Sequence, residues 1–228
     1  MKRLFFLAII LLAGFARPSA QSVVLNNPDN APFWGIRVGY DHTFPCDWHL
    51  PTGDSFKMFK SGPGFSAGAV YNMPVVANMY FEPGVSVYFD TYNYYDLIVS
   101  GSDGSELQHD PSVSKFGFRI PLTVGYRFDV FENGGFNVFT GPQVDFGVTA
   151  KVNLDNKVGD TILDSFDTSL YDGKDGLRRF DLGWRFGAGV YVGRWSLELS
   201  GTLGMLDLNK NAASFRENRL SVTLGYNF

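Results

Sequence analysis

The chain of 228 residues carries 19 Lys and Arg against 23 Asp and Glu, a formal charge of −4, with no basic cluster, which excludes nucleic acid as a natural partner. Its one cysteine, Cys46, excludes an internal disulfide framework. Hydrophobic residues make up 45% and aromatics 16%, yet past the N-terminal segment no apolar run approaches the roughly 20 residues of a spanning helix.

Met1-Lys2-Arg3, an apolar stretch from Leu4 to Ala16 and then Arg17-Pro18-Ser19-Ala20 read as a secretory signal peptide over residues 1–20, with cleavage after Ala20. Loss of Lys2, Arg3 and Arg17 takes the formal charge from −4 to −7. No cysteine follows to carry a lipid anchor. Residues 21–32 read as a periplasmic N-terminal segment, and residues 33–228 as one β domain.

In chain order, strand patterns fall at 33–44, 64–73, 78–91, 115–128, 135–153, 178–192, 195–206 and 218–228. Each is long enough to cross a bilayer at a tilt, for which about 9–11 residues suffice. Period 2 is clearest in the second half. Phe116, Phe118, Ile120, Leu122, Val124, Tyr126 and Phe128 alternate with Lys115, Arg119 and Arg127. Phe180, Leu182, Trp184, Phe186 and Val190 alternate with Arg179, Asp181 and Arg185. Leu220, Val222, Leu224, Tyr226 and Phe228 close the chain opposite Arg219. The apolar faces hold no charge, as lipid contact demands, because a lipid-facing Arg or Lys costs about 2–4 kcal/mol at the midplane.

A soluble sandwich alternates in the same way, so the connections decide. They alternate long and short: 45–63, 74–77, 92–114, 129–134, 154–177, 193–194 and 207–217. Short turns on one side and long loops on the other mark an up-and-down transmembrane barrel. The expected fold is therefore all-β, an eight-stranded antiparallel up-and-down transmembrane β-barrel in the cell outer membrane with both termini periplasmic. The final strand, ending on Phe228, is the expected signal to the outer-membrane assembly machinery, and outer-membrane lipid the expected solvent.

Pro83, Pro121 and Pro142 fall inside strands and are expected at bulges or bends, because a closed barrel has no edge to tolerate a missing N–H. Around them, Tyr80-Phe81-Glu82-Pro83-Gly84, Phe118-Arg119-Ile120-Pro121-Leu122, Gly141-Pro142-Gln143-Val144 and the stretch 181–201 resemble the PorT-like outer-membrane β-barrels of Bacteroidetes. That resemblance implies an outer-membrane barrel. One branch of the family is linked to type IX protein secretion, while most members have no assigned role. No motif of this sequence marks that branch.

The inward positions hold Arg37, Asp41, Glu82, Lys115, Arg119, Arg127, Asp145, Lys151, Asp181, Arg185, Glu198 and Arg219. Side chains roughly fill the interior of an eight-stranded barrel. Opposite charges there should pair and plug it, since an unpaired buried charge is costly. A small-solute channel is the alternative reading. Aromatics at the strand ends suggest interface girdles: Trp34, Tyr71, Phe128, Phe131, Phe136, Tyr191, Trp195, Tyr226 and Phe228 on the periplasmic side, and Phe44, Trp48, Tyr88, Phe89, Tyr92, Tyr94 and Tyr95 outside. Tyr92, Tyr94 and Tyr95 are also a candidate recognition platform in the loops.

Chemistry beyond binding has little support. His42, His49 and His109 could seat an acid–base pair for a barrel enzyme acting on lipid or peptide, but Asp41 and His42 point to opposite faces of one strand. Asp155, Asp160, Asp164, Asp167, Asp172 and Asp175, with Lys157 and Lys174, read as a solvated acidic loop without EF-hand spacing. Cys46 and His49 are too few ligands for zinc. No catalytic residue, metal or cofactor is expected. The expected role is structural or interactive within the envelope, through the outer loops or a secretion-related protein partner.

Overall fold

The computed structural model describes residues 31–95, 97–100, 106–131, 133–158, 161–172, 176–210 and 214–228. The expected signal peptide lies outside them, as does the rest of the N-terminal segment up to residue 30. Twelve strands follow in order: β1 (Phe33–Pro45), β2 (Trp48–His49), β3 (Ser55–Phe56), β4 (Gly62–Val76), β5 (Met79–Asn93), β6 (Leu97–Ser100), β7 (Glu106–Phe131), β8 (Gly134–Val158), β9 (Thr161–Ser169), β10 (Phe180–Val192), β11 (Trp195–Gly204) and β12 (Glu217–Asn227).

Eight of these close into a barrel, β1-β4-β5-β7-β8-β10-β11-β12 and back to β1, with every neighbour antiparallel. The seam between β1 and β12 runs from Gly35 opposite Asn227 to Pro45 opposite Glu217. Closure leaves no barrel strand with a free ladder edge in lipid, where an unsatisfied backbone group has no water to bond. The alternation reads directly in the exposures. Ile36, Val38 and Tyr40 of β1 are 44–59% exposed on the outer face, while Asp41 and Thr43 are at most 2% exposed inside.

The connections sort by length between the two ends. The turns at 77–78 and 193–194 and the junction of β7 with β8 occupy one end, together with the start of β1 and the end of β12. Ala77 (φ 47°) and Gly193 (φ 58°) take the left-handed backbone that such tight hairpins need. At the other end three of the expected long loops contain strands, β2 and β3 pairing with each other in the first. β5 runs on to Asn93, β7 begins at Glu106 and β8 ends at Val158. β6 pairs with β7 and β9 with β8, so a blade ordered β6-β7-β8-β9 continues past the barrel rim. The apolar, β-favouring runs Leu97-Ile98-Val99 and Thr161-Ile162-Leu163 extend a ladder that the barrel has already nucleated.

The three strand prolines cause no bulge. Pro142 pairs in register with Trp184, and the β5–β7 and β7–β8 registers are the same on either side of Pro83 and Pro121. The ladder instead skips its pairs at 84–85 opposite 120–121 and at 122–123 opposite 141–142. A third gap, 71–72 opposite 82–83 in the β4–β5 ladder, holds Pro83 itself, so the missing N–H groups are absorbed in one patch of wall shared by β4, β5, β7 and β8. Register does shift elsewhere, notably between Phe116 and Gly117: these pair with Thr149 and Gly147, leaving Val148 as the extra residue. One inserted residue exchanges the two faces of a strand. Asp145 and Gly147 face inward below it; above it Ala150 and Val152 are buried and Lys151 is exposed. Lys151 is therefore not a lumen charge.

Candidate functional site: the filled lumen

Alternation on all eight strands delivers the polar residues to the interior, where they form layers. Uppermost, at the long-loop end, is an apolar cap of Phe59, Tyr92, Val113, Ala150, Val152, Tyr171, Leu177, Leu208 and Phe215. Trp48, Met58, Tyr94 and Leu170 pack against it. Val113 and Phe215 are at most 1% exposed. Beneath the cap Lys115 Nζ donates to Glu217 Oε1 at 2.5 Å, and the Tyr92 hydroxyl donates to the same oxygen at 3.0 Å.

The next layer is the tightest. Arg119 Nη1 reaches Asp41 Oδ2 at 2.5 Å, Arg119 Nη2 reaches Asp90 Oδ2 at 2.6 Å, and its Nε lies 3.5 Å from Asp145 Oδ2. Arg219 meets Asp145 at 3.0 Å and Asp90 at 3.4 Å. Ser221 donates to Asp41 and Gln143 to Asp145. Tyr88 offers its ring face to Arg119, with the guanidinium carbon 4.1 Å from the centroid. Two guanidinium forks shared among three carboxylates compensate charges that would be prohibitive alone.

Towards the short-turn end the pairs loosen. Arg37 Nη2 is 3.4 Å from Glu82 Oε2, and Glu198 lies 3.9 Å from Arg37 and 3.8 Å from Arg185. Asn72 donates to Glu82 at 2.8 Å, and Arg37 also donates to Asn227 at 2.9 Å. Arg127 stacks between Tyr80 and Phe33, 4.7 and 5.0 Å from their centroids. Tyr80 accepts a hydrogen bond from Asn137 at 3.0 Å. Between the tight and loose layers lies a cavity of about 60 Å³.

Residues 20–210 match the family model described as an outer membrane protein beta-barrel domain. The chain belongs to that family. This outer-membrane barrel is also similar to solved structures. Neisserial surface protein A is 14% identical, covering 86% of this chain and 97% of that chain, at a TM-score of 0.43. Ail, the attachment invasion locus protein of Yersinia pestis, is 14% identical, covering 86% and 98%, at 0.42. The outer membrane protein OprG from Pseudomonas aeruginosa is 10% identical, covering 87% and 97%, at 0.40. No curated protein matches in sequence.

Within this outer-membrane barrel Arg37, Asp41, Glu82, Arg119, Arg127, Asp145, Asp181, Arg185, Glu198 and Arg219 all occupy inward positions. Asp181 Oδ1 is buried without a hydrogen-bond partner, as are Asp90 Oδ1 and the Nε atoms of Arg37, Arg119 and Arg219. Two members of the network escaped the sequence reading. Asp90 shares its parity with Glu82, so the alternation of β5 was signal enough. Glu217 sits one residue outside the expected last strand and belongs to the same inner row as Arg219.

The aromatic residues divide. Trp34, Phe128, Trp195 and Phe228 are 47–66% exposed on the outer wall. Trp34 contacts Tyr71 at 4.6 Å between centroids, and Tyr226 bridges Trp195 and Phe228 at 5.0 and 5.3 Å. Tyr191 differs. It shares the inner parity of Arg185 and Gly189, and its hydroxyl donates to Asp129 at the short-turn mouth, so it is not part of the lipid-facing girdle.

At the long-loop end Phe44 and Phe89 face outward, 43% and 47% exposed, whereas Tyr88 and Tyr92 point inward and Trp48 stacks on Phe215. Tyr92, 2% exposed, is a core residue and cannot belong to a recognition platform. Tyr94 packs against Phe59 at 4.6 Å, which leaves Tyr95 as the exposed member of the three.

The histidines do not converge. The His42 ring sits on the outer face of β1, 3.4 Å from the Tyr40 hydroxyl, and His49 Nδ1 lies 2.8 Å from the Asp47 carbonyl. His109 is in the blade, and its side chain lies outside the described residues. Asp155 and Lys157 fall in β8, Asp164 and Asp167 in β9, and Asp172 is exposed beyond them. Asp160, Lys174 and Asp175 lie outside the described residues. Among the described residues no group of three or more His, Cys, Asp and Glu is arranged to hold a metal ion.

Proposed function

We propose that this barrel is a non-enzymatic wall-and-docking protein whose lumen is closed to solutes and whose work is done outside it. The carrying observation is the stack inside the barrel: an apolar cap sealed by Val113 and Phe215, above two layers of paired charge. A channel needs a continuous wet path, and that path meets Phe59, Tyr92 and Phe215 at one end. Conductance of the purified barrel in planar bilayers is the test. The expected result is none beyond the lipid baseline. Steady unitary currents that change in Arg185→Gln would overturn closure and favour the small-solute channel instead, a reading that draws on the cavity between the layers.

The PorT-like resemblance carried by residues 80–84, 118–122, 141–144 and 181–201 supports an origin in Bacteroidetes, and the alternation of short turns with long connections around an even number of strands supports both termini in the periplasm, with the long-loop end outside. The blade β6-β7-β8-β9 then offers backbone beyond the membrane to an envelope or secretion-related protein partner, and β12 is the strand that the assembly machinery meets. Affinity capture from native envelopes distinguishes a partnered barrel from a free-standing one. Protease on intact cells should cut in 170–177; cuts confined to 132–133 would reverse the orientation. The scattered positions of His42 and His49 support the non-enzymatic reading, and lipase or peptidase activity abolished by replacing either would sink it.

A further inference from the structure

We propose that the free edge of β9 is a docking site for an extended, lysine- or arginine-rich segment of a protein partner, which adds to the blade as a fifth strand. β9 is the last strand of its sheet. β8 pairs along one edge, from Val158 opposite Thr161 to Lys151 opposite Ser169, and no described strand pairs along the other. The wall does not continue beside it. β10 follows β8 only as far as Gly147, whose N–H donates to the Arg179 carbonyl; above that point Leu177 N donates to Leu170 O and Arg178 N to Leu208 O. At about 3.3 Å per residue, β9 leaves roughly 30 Å of backbone donors and acceptors open to a further strand. β6, at the opposite edge of the blade, is only Leu97–Ser100 and carries no charge.

Two features suit this edge to that occupant. It is anchored: Leu170, directly after β9, packs on the apolar cap and donates its N–H to Ala150 O at 2.8 Å. Tyr171 belongs to the cap, and its carbonyl accepts from Lys210 Nζ at 2.7 Å. The strand is therefore fixed to the sealed lumen, and little ordering of this side remains to be done on binding. It is also acidic. Between residues 153 and 172 stand Asp155, Asp160, Asp164, Asp167 and Asp172, against Lys157 alone. The register sets Asp155 opposite Ser165, between Asp164 and Asp167, and sets Asp110 of β7 opposite Asp155 on its other side. Strand addition takes its affinity from main-chain hydrogen bonds and its selectivity from side chains. A cationic segment complements this charge, whereas β9 of a second copy would bring like charge against it. β9 itself has no lysine or proline of the kind that guards an edge.

The test uses the whole barrel refolded in a non-ionic detergent and a fluorescent peptide of alternating lysine and valine, read by anisotropy at low salt. Saturable binding is expected, weakening as salt rises. Methylating every amide nitrogen of the peptide removes its donors, keeps its charge and should abolish binding; a glutamate–valine peptide should not bind. Asp164→Lys with Asp167→Lys, remote from every lumen ion pair, should weaken the lysine peptide by about tenfold or more and confer binding of the glutamate peptide. No saturable binding, binding indifferent to methylation, or unchanged affinity in the folded double variant would overturn the proposal, as would a barrel that dimerises through β9 instead. Should the double variant fail to fold, Asp167→Asn decides, with weaker binding supporting the site and unchanged affinity overturning it. The site rests on the wall-and-docking reading, yet the two fail separately: a conducting barrel that takes the lysine peptide sinks only the closed lumen, and a closed barrel that takes none sinks only this edge.

Discussion

The tight and loose layers of the lumen are built from the same chemistry and held differently. Arg119 grips Asp41 and Asp90 at 2.5 and 2.6 Å, while Arg37 and Arg185 stand 3.9 and 3.8 Å from Glu198. The tight layer sits beneath the apolar cap, where water is excluded and each carboxylate needs a close partner. The loose layer lies on the far side of the cavity towards the short-turn end, where its side chains are 8–17% exposed. Rigid and adaptable charge pairing thus coexist within one barrel, and the neighbouring layer decides which is which.

Four substitutions separate the layers. The largest effect is expected from Arg119→Leu, which strands Asp41 and Asp90; removing one partner of a buried pair costs about 3–5 kcal/mol. Urea unfolding in detergent should show that loss, and a change under 1 kcal/mol would mean that the layer is far less dry than its geometry implies. Lys115→Met should cost somewhat less, since Tyr92 still donates to Glu217, and Glu217→Gln should restore part of the loss in the double variant. Strict additivity would show that the pair is not coupled.

Glu198→Gln in the loose layer should cost only about 0.5–1.5 kcal/mol, the worth of an ordinary hydrogen bond, because neither arginine is close. A loss equal to that of Arg119→Leu would erase the distinction between the layers. The smallest effect concerns Cys46, just past the end of β1. Burial pushes its thiol above the ordinary value, and Asn218 Nδ2 lies 3.4 Å from the sulfur. The thiolate fraction should therefore be small at neutral pH and grow as pH rises through the raised pKa. Maleimide labelling of the folded barrel should be slower than that of the urea-unfolded chain at pH 7; equal rates would show the thiol to be free. Neither state of Cys46 should alter the stability of either layer.

Much of this architecture is legible residue by residue. Alternation along 115–128 places Arg119 and Arg127 inside and Phe118 and Ile120 outside because a strand has period 2 and lipid rejects charge. The same rule fails at Lys151, where the extra residue Val148 exchanges the faces and nothing in the surrounding sequence announces it. The girdle reading, not the alternation, misleads for Tyr92 and Tyr191, since an aromatic at a strand end serves equally well in a girdle or in a plug. Parity alone separates the two uses, and at a strand end parity depends on where pairing stops.

By itself, then, the sequence determines the wall. A charge-free face on every second residue, ladders long enough to span and turns of alternating length all follow from local composition in a low-dielectric solvent. Only the tertiary structure decides the contents. Which arginine meets which carboxylate, where the cap forms and where a cavity is left depend on barrel register and on one bulge. These are long-range relations between strands as far apart in the chain as β1 and β12, and no local pattern encodes them.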